Sequence, residues 1–127
     1  IGSGMSGGIC DIWIHDCVVR GTERGIRIKS MRGRGGYVKR INVERMQMDE
    51  IEKEAIEVSM NYGSSTAMPV SQKAPEFSEI RFAHIRGNHA AVGVSLCGLP
   101  ESPLRKLTLE DVSIAAEDPL REEYVEK

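Results

Sequence analysis

The sequence predicts an all-β fold of the solenoid type, a β-helix in which short strands stack coil upon coil. Three observations predict it. Four segments share one apolar frame, they recur at roughly one coil's spacing, and a second set of alternating segments falls between them.

The first set opens with Ile12-Trp13-Ile14, followed by Cys17 and Val19. It continues with Ile41-Asn42-Val43, Ile80-Arg81-Phe82 and Leu107-Thr108-Leu109, each trailed by further apolar residues (Met46 and Met48, Ile85, Val112 and Ile114). Their first residues lie 29, 39 and 27 residues apart. The second set is Ile26-Arg27-Ile28-Lys29, Ile56-Glu57-Val58-Ser59-Met60 and Val92-Gly93-Val94-Ser95-Leu96, which start 14, 15 and 12 residues after their partners. A small residue precedes each: Gly25, Ala55 and Ala91. Period-two alternation sends Ile26, Ile28, Ile56, Val58, Val92 and Val94 inward, and Arg27 and Lys29 outward on one face.

Helical readings fit poorly, because the apolar runs are short, β-branched and interrupted by glycine. Only Asp49 to Ala55 and the tail from Asp118 leave room for a short helix. The coils are expected over residues 1–116. The long second interval is assigned to a turn-rich loop at about 63–76 that leaves the coil and returns, and such insertions gather on a solenoid's binding face. Residues 117–127 form a charged tail expected to fray.

The chain's 127 residues suit one domain, and 40% apolar with 28% charged residues is ordinary for a folded protein. A net charge of -2, without a basic cluster, argues against nucleic acid. No apolar run approaches the roughly 18–20 residues that a membrane helix needs. Cys10, Cys17 and Cys97 have no paired spacing, so neither a disulfide framework nor a zinc site is expected, and the thiols are read as small core fillers. No cofactor is expected. The chain opens on Ile1 without an initiator methionine, a basic segment or an apolar leader, so a piece of a longer protein, truncated on its N-terminal side, is expected. Its first coil should expose ladder residues and strand edges, inviting self-association.

Several motifs together carry a resemblance. They are Ile1-Gly2-Ser3-Gly4-Met5-Ser6-Gly7-Gly8, Gly25-Ile26-Arg27-Ile28-Lys29, Arg32-Gly33-Arg34-Gly35-Gly36, Pro75-Glu76-Phe77 and Gly98-Leu99-Pro100-Glu101. Over nearly the whole chain the sequence resembles the C-terminal portion of glycoside hydrolase family 28, the polygalacturonases, with features of the bacterial branch. The resemblance implies a right-handed parallel β-helix that hydrolyses α-1,4 bonds between galacturonate units with inversion. Inverting hydrolysis needs two carboxyls about 6.5–9.5 Å apart, one as acid and one as base for the attacking water. In the family these come from an Asn-Thr-Asp segment and an Asp-Asp pair, supported by a Gly-His-Gly histidine. None of these occurs in this chain, so no catalytic residue is assigned to it and they are expected upstream. Gly4 also departs from the family, where Glu is frequent.

The resemblance makes Arg27 and Lys29 the grip on substrate carboxylates, since arginine can hold a carboxylate with two parallel charge-assisted hydrogen bonds. The plainer reading pairs Arg27 with Glu57 on the next strand. The resemblance assigns Tyr62 to the same cleft, beside the plainer reading of a packed tyrosine anchoring the loop; Arg32 and Arg34 could reach the polyanion from their glycine-rich loop, Arg34 as the lesser site contact, but are otherwise read as exposed loop arginines. His15, His84 and His89 lack ligand spacing and are read as surface residues, and Glu110-Asp111 as a solvated turn. A different class, a non-catalytic β-solenoid binding an acidic glycan or a protein, shares the same coils, and a rhamnogalacturonan or xylogalacturonan substrate would keep the enzyme class. Endo or exo action, oligomeric state, and a secreted or cytoplasmic location in a bacterium are left open.

Overall fold

Alternating apolar residues are realised as six parallel strands in a computed structural model that describes residues 1–2, 4, 7–61 and 73–126. They are β1 (Gly8–Arg20), β2 (Ile26–Lys29), β3 (Tyr37–Asp49), β4 (Ile51–Ser59), β5 (Glu76–Cys97) and β6 (Arg105–Glu123). β1 pairs with β3, and β3 with the first half of β5. β2 pairs with β4, and β4 with the second half of β5. β6 then follows β5 along its whole length. One sheet therefore wraps around two walls, which is a parallel β-helix. Parallel crossovers of this kind wind right-handed in nearly all folds.

The pairings reproduce the sequence intervals: Ile12 stands beside Ile41, Ile41 beside Ile80, and Ile80 beside Leu107. Stacked at about 4.8 Å, these rungs form aliphatic ladders. Ile28, Ile56 and Val58 are fully buried, Val92 and Val94 nearly so, and Ile26 is packed against the core from its edge. Phe77 and Phe82 are the largest buried side chains. On β1, Ile12 and Ile14 are only partly buried, whereas Ile41 and Val43 beneath them are buried. The small residue before β2 has a steric reason. A Cβ on Gly25 would stand 2.4 Å from the Ala55 carbonyl oxygen and 2.7 Å from Met48 Sδ.

Two expectations change, for the tail and for the cysteines. The segment Asp49–Ala55, one of two places that left room for a helix, is the β3–β4 corner and β4, in keeping with the all-β reading. The tail expected to fray is strand as far as Glu123, because its backbone pairs with β5 along one edge even though most of its side chains are exposed. None of the cysteines fills the core: Cys10 and Cys97 are half-buried, and Cys17 is exposed on β1. Most of the inserted loop, residues 62–72, lies outside the described residues.

The long strands turn corners without glycine. Asp11, Arg40, Glu79 and Lys106 occupy one stacked corner column with φ of 60, 55, 57 and 51°. Asp16, Arg45, His84 and Asp111 occupy a second, at 55, 53, 55 and 53°. This left-handed conformation is disfavoured for any residue with a Cβ. Opposite charges stacked along the columns offset part of that cost. Arg40 donates from Nε to Asp11 at 2.6 Å, Arg45 to Asp16 at 2.9 Å, and His84 Nδ1 lies 2.9 Å from Asp111.

Exposed as they are, these pairs should add a modest acid sensitivity to the fold. Arg40 holds the Asp11 carboxyl below its ordinary value, Arg45 and then His15 do so for Asp16, and His84 and then Arg86 for Asp111. A carboxyl lowered in the folded state contributes stability that is complete above its unfolded pKa and lost as pH falls towards its folded one. Thermal unfolding followed at neutral pH and near pH 3 should show a modestly lower midpoint in acid, with a smaller difference in high salt. Equal midpoints would remove the corner pairs as contributors.

Candidate functional site

The β2 strand is short, its inward residues Ile26 and Ile28 lock into the ladders, and Arg27 and Lys29 therefore face out together. Each heads an outward column. Below Arg27 stand Glu57, Ser95 and Arg121; below Lys29 stand Ser59, Cys97 and Glu123. Ile1 covers the opposite edge of β2: its nitrogen donates to the Arg27 carbonyl at 2.9 Å, and the Lys29 amide donates to the Ile1 carbonyl at 3.0 Å. Both cationic side chains thus project from backbone held on either side.

The plainer reading of Arg27 is also present. Its Nε lies 3.1 Å from Glu57 Oε2, and Arg24 Nε lies 2.6 Å from the same oxygen. Arg27 remains 29% exposed while Glu57 is 12% exposed, so the pair is partly sheltered with the arginine on the solvent side.

Beyond the C-terminal ends of these strands lies a shallow pocket, lined by Arg32, Asn61, Cys97, Leu99, Glu123 and Tyr124. Arg32 was expected as an exposed loop residue; it is buried, and its guanidinium grips Glu101 through Nε at 2.5 Å and Nη2 at 2.8 Å. Arg32 holds the Glu101 carboxyl below its usual range. The pair ties the loop after β2 to the turn after β5, and no local signal could reveal it, since the partners are 69 positions apart. Burial pushes the Cys97 thiol up, so it is a passive member of this face rather than a nucleophile.

Arg34 lies in the same glycine-rich loop, partly buried, with its Nη1 3.9 Å from where a Cβ on Gly4 would stand. The loop packs against the end of the insertion: the Gly33 amide donates to the Lys73 carbonyl at 2.7 Å, and Gly35 (φ +64°) leaves room for the Lys73 side chain. Tyr62 lies outside the described residues. His15, His84 and His89 are exposed and away from this face, and Asp111 of the Glu110-Asp111 pair serves a corner column. The structure thus brings Arg27, Lys29 and Glu57 together, and places Arg32 in a structural pair.

Comparison with known proteins agrees with this architecture. A probable polygalacturonase of Vitis vinifera is 37% identical over 115 residues, covering 90% of this chain and 23% of that protein. A probable polygalacturonase of Arabidopsis thaliana is 26% identical over 106 residues, covering 82% of this chain and 24% of that protein. Endopolygalacturonase B of Aspergillus niger is 29% identical over 103 residues, covering 77% and 28% respectively. The chain therefore spans about a quarter of the length of the curated relatives it matches. These relatives are eukaryotic, so the bacterial branch expected from Pro75-Glu76-Phe77 and Gly98-Leu99-Pro100-Glu101 finds no support in them. Residues 1–124 match the family described as glycosyl hydrolases family 28, and the chain belongs to that family.

Proposed function

We propose that the protein carrying this chain hydrolyses α-1,4-linked galacturonate in pectin with inversion, and that this chain supplies the grip on substrate carboxylates. The observation that carries the reading is the outward pair Arg27 and Lys29, two residues apart on a strand fixed on both edges. A polygalacturonate chain bears a carboxylate on every sugar. Arg27 offers a planar fork that matches one carboxylate, and Lys29 a compact charge beside it. Tyr62 and Arg34 belong to the same cleft in this reading, Arg34 more distantly.

The acid and base are supplied from upstream of this chain. Support for that comes from the sequence, which lacks the Asn-Thr-Asp, Asp-Asp and Gly-His-Gly motifs. Glu57, the carboxylate in ion-pair contact with Arg27, is also met by Arg24 and is ill placed to exchange a proton with a sugar. A water attacking the face opposite the leaving oxygen converts an α linkage into a β product. Proton NMR of polygalacturonate during early hydrolysis should therefore show the β anomer of the new reducing end first. An α anomer appearing first, or no cleavage at all, would contradict the proposal.

A further inference from the structure

Glu57 faces outward from β4 in register with Arg27, yet it is only 12% exposed. Two guanidinium groups come within ion-pair distance of one of its oxygens, Arg24 at 2.6 Å and Arg27 at 3.1 Å, through charge and not through an aligned Nε hydrogen bond. Arg24 is further held by Glu54 at 2.8 Å and by Glu23 at 2.5 Å. Arg24 is thus anchored by acidic neighbours, and Glu57 bridges it to Arg27. Without the bridge the two cations repel each other, and the long Arg27 side chain would have to be ordered at the moment of binding.

We propose that Glu57 is a positioning residue for substrate recognition, holding the Arg27 guanidinium on the outward face of β2 so that it meets a galacturonate carboxylate already oriented. The inference rests on the reading of Arg27 as a carboxylate grip. Its sign separates it from simple electrostatics. Removing a negative charge beside a polyanion site should by field alone tighten binding. A positioning role predicts weaker binding, because the ordering cost of a loose Arg27 side chain then falls on the binding step.

The test is a double-mutant cycle in the protein carrying this chain, read as affinity for an oligogalacturonate. Glu57→Gln should weaken binding about tenfold, equivalent to about 1.4 kcal/mol, and should have no further effect in an Arg27→Ala background. Should Glu57→Gln fail to fold, Glu57→Asp, which keeps the charge but shortens the reach, should weaken binding by a smaller factor that also vanishes with Arg27→Ala. Unchanged or tighter binding in the single variant would overturn the inference. So would equal weakening in both backgrounds, which marks a general structural role. If Arg27→Ala alone changes nothing, the carboxylate grip itself fails and this inference with it. If Arg27→Ala weakens binding and the Glu57 variants do not, the inference alone falls.

Discussion

Phe82→Ala should cost about 3–5 kcal/mol of stability, the range for truncating a buried aromatic. Phe82 is fully buried on β5, between Val43 of the coil above and Leu109 of the coil below. The side chains around it are themselves packed in the same core, so they can relax into the void only in part. A domain of ordinary stability, about 5–15 kcal/mol, would lose much of its margin. Urea unfolding of wild type and variant measures the loss directly. A loss below about 1 kcal/mol would mean that the Val43–Phe82–Leu109 ladder is not packed as described.

That ladder shows what the sequence makes legible. The intervals of 29, 39 and 27 residues between apolar frames are the registers of β1 on β3, β3 on β5 and β5 on β6. They can be read because each rung repeats the chemistry of the one before. The corners could not be read in this way. Turns are sought at glycine, proline and asparagine, but here Asp11, Arg40, Glu79 and Lys106 adopt the left-handed conformation. Their compensation comes from charges one coil away, which local pattern does not display. The continuation of β6 through Glu123 was hidden for a related reason. Its residues are polar and exposed, and the strand is specified by β5 rather than by its own composition.

Arg27→Ala should weaken oligogalacturonate binding by about 10- to 100-fold, corresponding to the roughly 1.5–3 kcal/mol of hydrogen bonds to a charged group. Arg27→Lys should recover only part of this. A lysine keeps the charge but loses the planar fork, and its single ammonium cannot both stay on Glu57 and grip a carboxylate with two parallel bonds. If the lysine variant binds as tightly as wild type, charge alone would suffice and the bidentate contact would be unnecessary.

The candidate site was legible in part. Period two on β2 suffices to put Arg27 and Lys29 on one face, and the neighbouring register suffices to suggest Glu57 beside Arg27. The capture of the same carboxylate by Arg24 was not visible, because Arg24 precedes the strand and its position depends on the β2–β4 corner. Arg32 was misjudged through composition. A glycine-flanked arginine reads as an exposed loop residue until Glu101 arrives from a different coil.

Arg27 and Lys29 together form the proposed grip on the substrate's carboxylates. Calorimetric titration of the protein carrying this chain with oligogalacturonate, comparing wild type with Arg27→Ala and Lys29→Ala, tests it most directly. Each variant should keep its fold and bind at least about tenfold more weakly. Folded variants with unchanged affinity would contradict it.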